Sequence, residues 1–266
     1  MTWVKITYAV IVLALLLLAG CNRNVPTQLG LNPEKAVIGD RYFYFESPDT
    51  VQSKSPVIIM LHGRSQTALG WFDASEPLAT DGQVEFTTDA LANGFAVIAP
   101  QSGEAFCPGK NQWDSTANSE DVMFVQNILE WVKQNPRLDT SRVYVVGLSS
   151  GATMTSRIGI DVGKDNIKAI AIHSGANADE ATLAYNEEKV FKCEVSFSDA
   201  VPTLSSAHPK TLLIHGRVDN IVPVSAAEAY DQGLANSKIE HKLIVKGDGR
   251  HTWYPEYNDD ILLWFS

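Results

Sequence analysis

A serine flanked by two glycines lies in the stretch VYVVGLSSGATM, residues 143–154. Gly147, Ser149 and Gly151 have the spacing G-x-S-x-G, after an apolar run typical of a strand and before small residues that suit a helix. A strand, a sharp turn and a helix in this order present the serine hydroxyl at a sheet edge, where it can attack a carbonyl carbon. The alternative is a tight turn in which the serine only caps the helix.

A serine hydroxyl is a weak nucleophile unless a base takes its proton, and histidine is the usual base. Of the six histidines, His251 lies in KGDGRHTWYP, a loop after the last predicted strand. His62 and His215 each precede a glycine at the end of an apolar run, where we expect them to shape turns, and His173 lies inside the run AIAIHSG. The pattern therefore favours His251 as the base, with an exposed loop residue of no special role as the alternative.

The imidazole needs a carboxylate that fixes its tautomer and stabilises its protonated form. Asp219 in HGRVDNIVP follows an apolar run and precedes a predicted helix, so it can reach the same edge. Asp248 is the rival, but it lies only three positions before His251. The resulting order Ser149, Asp219, His251 is the one expected for an α/β-hydrolase.

Backbone amides are predicted to stabilise the oxyanion that forms when the serine attacks. One is the N–H of Ser150, the first residue of the helix after the turn. The second comes from the loop HGRSQ after the first long apolar strand, where we assign the N–H of Arg64, with Ser65 as the alternative.

The strands and helices that must position these residues alternate along the chain. Apolar runs predict strands in KAVIG, RYFYFES, SPVIIMLHG, GFAVIAP, RVYVVGL, IKAIAIHSG, KTLLIHG and IEHKLIVKG. Helices are predicted between and after them, including SEDVMFVQNILEWVKQ, which Ser119 can cap and Pro136 ends. Alternation of this kind indicates a mostly parallel central sheet flanked by helices, in which polar groups at the strand ends meet along one rim.

Composition excludes several other classes of protein. A net charge of −10 on 266 residues argues against nucleic acid as a partner. The sequence has neither H-E-x-x-H nor a paired CxxC, so it does not favour a metallohydrolase, and we expect no metal and no cofactor. Length and uniform composition predict one catalytic domain over residues 35–266. Only about 35 residues separate HSG from KTLLIHG, which leaves room for little or no cap domain.

The first residues are typical of an export signal. Lys5 precedes an apolar core that ends at Leu-Ala-Gly-Cys21, a sequence similar to the lipoprotein processing box of bacteria. We expect residues 1–20 to be a signal peptide, Cys21 to be lipidated, and residues 21–34 to tether the domain to the cell envelope, with outer-membrane delivery favoured by Asn22. An ordinary cleaved signal peptide and an anchored helix are the alternatives. Export also predicts a disulfide between Cys107 and Cys193, with two free buried thiols as the alternative.

The chain resembles the polyhydroxybutyrate depolymerase and feruloyl esterase family of α/β-hydrolases over roughly residues 54–255. The block DTSRVYVVGLSSGATM is the most specific part of the resemblance, and HGRSQ, HGRVDNIVP and HTWYP extend it. The resemblance implies a secreted acyl esterase with Ser149, Asp219 and His251 as its triad. The chain departs from the family at Arg64, where a small residue is common, and in a spread-out Cys-Trp cluster.

The preferred hypothesis is a serine esterase that acts on polyesters or on feruloyl or acetyl esters of plant polysaccharides. Trp71, Trp113 and Trp253 are predicted near the rim, where they could stack on acyl groups or sugars, with core packing as the alternative. A serine peptidase of the same fold is the rival enzyme. A surface-anchored binding protein on an inactive hydrolase scaffold is the rival from another class. The sequence gives no oligomeric state.

Overall fold

The computed structural model describes residues 30–48, 53–103, 109–186 and 192–266. Its strands are β1 Glu34–Ile38, β2 Arg41–Glu46, β3 Ser55–Leu61, β4 Ala96–Pro100, β5 Leu138–Leu148, β6 Ala169–His173, β7 Ala181–Asn186, β8 Lys192–Phe197, β9 Lys210–Gly216 and β10 His241–Lys246. Its helices are α1 Asp81–Ala92, α2 Glu120–Gln134, α3 Ser150–Val162, α4 Val224–Asn236 and α5 Asn258–Trp264. Each strand and helix that the apolar pattern predicts has a counterpart here.

Eight strands form one sheet in the order β1-β2-β4-β3-β5-β6-β9-β10. Every neighbouring pair is parallel except β1–β2 and β2–β4. This is the mostly parallel central sheet flanked by helices that the sequence predicts. Because βαβ crossovers put helices on both faces, the central strands are apolar on both sides, which explains their unbroken apolar runs.

The two faces of the sheet bury separate cores. Val57 and Ile59 of β3 pack on the side of α2, α3 and α4, whereas Ile58 and Met60 pack on the side of α1 and α5. Each such side chain that leaves water contributes about 1.5–3 kcal/mol to folding. Helix α2 begins where predicted, because the Ser119 hydroxyl accepts a hydrogen bond from the Val122 amide at 3.2 Å.

The carboxyl ends of the central strands lie level with one another. Leu61 at the end of β3 pairs with Gly147, and Leu148 at the end of β5 pairs with His173. His173 in turn pairs with Ile214 of β9. Loops that follow these strands therefore start from the same edge of the sheet, and they carry the residues predicted to be catalytic.

The stretch between β6 and β9, for which the apolar pattern predicts no strand, forms a small second sheet. Its strands β7 and β8 pair with each other in antiparallel orientation. The sequence KCEVSF of β8 alternates polar and apolar residues, a signal of a half-buried strand that was available.

The predicted N-terminal features fall largely outside the described residues. Residues 1–20, Cys21 and most of the tether are not described. Within the expected tether, Leu31 and Pro33 are buried against the domain and β1 begins at Glu34, so the packed region starts earlier than residue 35. Cys107 is also outside the described residues, and its pairing with Cys193 stays a prediction. In the part of the chain that is described, we find no helix with the length and apolarity needed to cross a bilayer.

Candidate active site

Ser149 occupies a strained turn between β5 and α3. Its backbone has φ 55° and ψ −116°, a conformation that side-chain-bearing residues rarely adopt. The turn fits only because its neighbours lack side chains. A Cβ on Gly147 would lie 2.2 Å from the Gly151 carbonyl oxygen, and a Cβ on Gly151 would lie 2.2 Å from the Leu61 carbonyl oxygen. Such strain at a strand-to-helix turn is the feature expected of a residue presented for chemistry.

Three residues from distant parts of the sequence form a continuous hydrogen-bonded chain. The Ser149 hydroxyl donates to Nε2 of His251 at 2.8 Å. The Nδ1–H of His251 donates to Oδ2 of Asp219 at 2.7 Å. The structure thus brings together the serine, imidazole and carboxylate that the sequence pattern nominates. This geometry can move a proton from the hydroxyl to Nε2 while the carboxylate stabilises the imidazolium.

Asp219 is held in its charged form. Burial raises the pKa of its carboxyl, but hydrogen bonds and the nearby imidazole outweigh that effect, and the net shift of the pKa is downward. The donors are the His251 ring and the backbone amides of Ile221 and Val222, at 2.9 Å and 3.0 Å from Oδ1. A carboxylate that accepts several hydrogen bonds stays ionised and keeps its partner imidazole in a single tautomer.

Three other histidines lie at the same strand ends but are buried and already bonded. His62 donates from Nδ1 to the Gly63 carbonyl at 2.8 Å, and burial lowers its pKa to about 4. His173 accepts from the Tyr254 amide at 3.0 Å, and burial together with neighbouring histidines lowers its pKa to about 3. His215 donates to the Val222 carbonyl at 2.9 Å, and burial lowers its pKa too. All three therefore support loops as neutral rings.

The two residues predicted to donate to the oxyanion line the same cleft as Ser149. Ser150 is the first residue of α3, and amides in the first turn of a helix have no intrahelical acceptor. Arg64 belongs to the turn after β3 and, like Ser150, lines the same cleft as Ser149. The alternative donor is disfavoured, because the Ser65 amide is already bonded to the Lys110 carbonyl at 2.8 Å.

Gln66 fixes the turn that carries Arg64, and the sequence analysis missed it. Its Oε1 accepts from the Gly63 amide at 2.7 Å, and its Nε2 donates to the Leu78 carbonyl at 2.6 Å and to Oε1 of Gln83 at 2.9 Å. Gln66 is only 4% exposed, so these bonds form away from water and hold the turn firmly. The stretch HGRSQ contains no local pattern that would indicate this role for its glutamine.

A cleft of about 130 Å³ opens beside Ser149. Two of its lining residues, Val195 and Phe197, belong to β8 of the hairpin that the sequence analysis missed. The other apolar lining residues are Ile221 and Val222, and the polar ones besides Arg64, Ser149 and Ser150 are Gln112, Ser115 and Thr153. The cleft therefore offers both hydrogen-bonding groups and apolar surface next to the nucleophile.

The three tryptophans expected to contact substrate are core residues instead. Trp71 and Trp113 have no exposed surface, and Trp253 is 3% exposed. Trp71 and Trp253 pack edge to face with ring centroids 5.2 Å apart in the core beside α1. The expectation was wrong because a position close in sequence to the end of a strand does not determine which way the side chain points. Burial of a large apolar side chain is strongly favourable, so these rings point into the core.

Among the described residues, no group of three or more His, Cys, Asp or Glu side chains is placed to hold a metal ion.

Two enzymes of known function are similar to this chain over most of its length. A poly(3-hydroxyoctanoate) depolymerase from Pseudomonas fluorescens is 26% identical over 243 residues, which cover 88% of this chain and 82% of that enzyme. Feruloyl esterase B from Thermothelomyces thermophilus is 27% identical over 249 residues, covering 85% of this chain and 79% of that enzyme.

The fold is also shared with solved structures. An acetyl xylan esterase from Aspergillus awamori superposes with a TM-score of 0.61 at 18% identity, over 85% of this chain and 94% of that one. Likeness at this level of identity concerns the fold. The model of the family Esterase PHB depolymerase matches residues 40–239, most of the chain and with it Ser149 and Asp219. The chain therefore belongs to the Esterase PHB depolymerase family, a family of carboxylic ester hydrolases.

Proposed function

We propose that this chain is a serine esterase that works through an acyl-enzyme, with Ser149 as nucleophile, His251 as general base and acid, and Asp219 as its carboxylate partner. The observation that carries the proposal is the unbroken relay of hydrogen bonds, 2.8 Å from Ser149 to His251 and 2.7 Å from His251 to Asp219. Both distances lie within the range that proton transfer requires.

The reaction has two mirrored halves. The Ser149 oxygen attacks the ester carbonyl carbon while Nε2 of His251 takes the hydroxyl proton, and the amides of Arg64 and Ser150 bind the oxyanion. The tetrahedral intermediate then collapses, and the imidazolium gives its proton to the leaving alcohol. Water attacks the resulting acyl-enzyme with His251 again as base, which releases the acid and returns the proton to Ser149.

The size of the cleft favours a short acyl group. Its volume of about 130 Å³ is well below the 300–1,000 Å³ or so of sites that enclose a drug-sized ligand. An acyl chain of a few carbons fits beside Val195 and Phe197, and a bulky alcohol would extend into solvent. We therefore propose polymeric esters with short acyl units, such as aliphatic polyesters or acetylated glycans, in preference to feruloyl esters.

Labelling and a substrate panel test the proposal together. A fluorophosphonate is expected to label Ser149 covalently, and hydrolysis is expected to be fastest for short-chain nitrophenyl esters, acetylated xylan or polyhydroxybutyrate. Methyl ferulate and peptidyl anilides serve as the comparison substrates. Folded protein that takes no label would favour the binding-protein hypothesis, and faster cleavage of the anilides would favour a peptidase.

We also propose that the enzyme is exported and held at the cell envelope by a lipid on Cys21. The support is the Leu-Ala-Gly-Cys sequence after an apolar core. Mass spectrometry of the mature protein is expected to find residues 1–20 removed and Cys21 carrying acyl chains, and Cys21→Ala should release the protein from the membrane fraction. An unmodified N-terminus at another residue would contradict the anchor.

A further inference from the structure

We propose that residues 110–113 act as a strap that sets the position of the two oxyanion donors, and that Trp113 is its principal positioning residue. The strap is the segment from Lys110 to Trp113, which lies upstream of α2 and outside the triad. The proposal rests on the proposed function, since it concerns the amides of Arg64 and Ser150 in that reaction.

The first half of the strap is bonded to the turn that carries Arg64. The Lys110 carbonyl accepts from the Ser65 amide at 2.8 Å, and the Asn111 side chain donates to the Gln66 carbonyl at 2.9 Å. Ser65 has a left-handed φ of 63°, a conformation that needs support from its surroundings. The first bond fixes the Arg64–Ser65 peptide through its N–H, and the second fixes the Gln66–Thr67 peptide through its carbonyl.

Trp113 holds the other end of the same turn. Its indole Nε1–H donates to the His62 carbonyl at 2.9 Å, and its ring lies against the His62 ring with centroids 5.1 Å apart. Because the side chain has no exposed surface, this hydrogen bond forms in a low-dielectric environment. It fixes the peptide between His62 and Gly63, and hence the direction of the Arg64 N–H one residue later.

The second half of the strap is bonded to the helix start that carries the other donor. The hydroxyl oxygen of Ser150 accepts from the Trp113 amide at 3.2 Å and from Nε2 of Gln112 at 2.7 Å. Trp113 therefore contacts both donor segments, one through its indole and one through its backbone. The amides of Arg64 and Ser150 follow different strands, β3 and β5. The strap contacts both segments and so sets the distance between the two amides.

This placement matters because oxyanion stabilisation depends on donor geometry. Removing one donor of this kind costs about 10²–10³-fold in kcat, and a displacement of about 1 Å costs up to about 10²-fold. Ground-state substrate gains less from the same donors, so loosening the strap should lower kcat and leave KM nearly unchanged.

The primary test is Trp113→Phe, which keeps an aromatic ring and removes the indole N–H. We expect kcat to fall about 10- to 100-fold on a nitrophenyl butyrate substrate, with KM within about threefold of the wild type. The inhibition constant for a trifluoromethyl ketone, whose adduct carries an oxyanion, should rise by a similar factor. Labelling by a fluorophosphonate measures the fraction of protein that is folded and active. The value of kcat is then calculated from that active fraction.

Trp71→Phe is the matched control. Trp71 is equally buried, and its indole nitrogen has no hydrogen-bond partner among the described residues. The same substitution there removes similar volume but no hydrogen bond. We expect it to leave kcat, KM and the trifluoromethyl ketone constant close to their wild-type values.

Asn111→Gly provides a second variant that does not depend on the core. Asn111 is partly exposed and has a positive φ of 42°, which glycine adopts readily, so the variant loses little except the bond to the Gln66 carbonyl. We expect kcat to fall several-fold with KM unchanged. If Trp113→Phe fails to fold, this variant decides.

The outcomes separate this inference from the proposed function. If Ser149→Ala abolishes turnover but Trp113→Phe matches Trp71→Phe in kcat and inhibitor affinity, the strap is structural and the inference is overturned. A rise in KM at constant kcat overturns it as well. If Ser149→Ala remains active, the proposed function fails first, whatever the tryptophan variants do.

Discussion

Ser149→Ala is expected to lower kcat for ester hydrolysis by about four to six orders of magnitude while substrate affinity is largely retained. The substitution removes the Oγ atom that attacks the carbonyl, and among the described residues no other hydroxyl is hydrogen-bonded to the His251 ring. The fold should be preserved, because the Ser149 hydroxyl is bonded to the His251 ring and makes no helix-capping hydrogen bond. Steady-state kinetics with nitrophenyl butyrate and a thermal melt measure both effects.

Ser102→Ala is the matched control for this loss. Ser102 is a buried serine near the ends of the central strands, and its hydroxyl has no partner among the described residues. We expect wild-type kinetics from it. Near-normal esterase rates from Ser149→Ala would remove the nucleophile from the mechanism and with it the proposed function.

Asp219→Asn is expected to lower kcat about 10⁴-fold with little change in fold. The amides of Ile221 and Val222 donate to Oδ1 of Asp219, so they would bind the carbonyl oxygen of the new amide at that position. The NH₂ group would then face Nδ1 of His251, which must accept instead of donate. That forces the proton onto Nε2, and a protonated Nε2 cannot take the proton of Ser149.

Asp248→Asn is the control for the change of charge. Asp248 is exposed and lies three residues before His251, so it tests whether any nearby carboxylate suffices. We expect its kcat to stay within about twofold of the wild type, since exposed charges are strongly screened. An Asp219→Asn variant that retained kcat within tenfold would mean that another group orients the imidazole.

The order of strands and helices and the three residues of the relay were accessible from the sequence because both depend on local pattern. Apolar runs indicate strands, and the carboxyl ends of parallel strands meet at a common edge, so the sequence alone predicts that Ser149, Asp219 and His251 lie close together. The two glycines around Ser149 likewise indicated a turn with no room for side chains at their positions, since a Cβ on Gly151 would lie 2.2 Å from the Leu61 carbonyl oxygen.

The roles that could not be predicted from the sequence depend on the orientation of side chains in the folded protein. Trp113 lies between two catalytic segments as the rim prediction required, yet its ring is buried and its indole hydrogen bond points to His62. Gln66 is polar and was passed over, although its side chain holds the turn of Arg64 together. The Trp113–His62 bond spans 51 sequence positions, and Gln66 is oriented by bonds to Leu78 and Gln83, which lie 12 and 17 positions away. No local pattern encodes such contacts.

The two-stranded sheet of β7 and β8 has a consequence for how this enzyme could acquire new specificities. It supplies Val195 and Phe197 to the cleft, yet it is separate from the eight-stranded sheet that positions Ser149, Asp219 and His251. Substitutions in the hairpin can therefore change the shape of the cleft around an acyl chain without moving the three catalytic residues. Specificity for a different ester can therefore evolve through this hairpin at little cost to catalysis. For the same reason, exchanging the hairpin between family members is a direct route to engineered specificity.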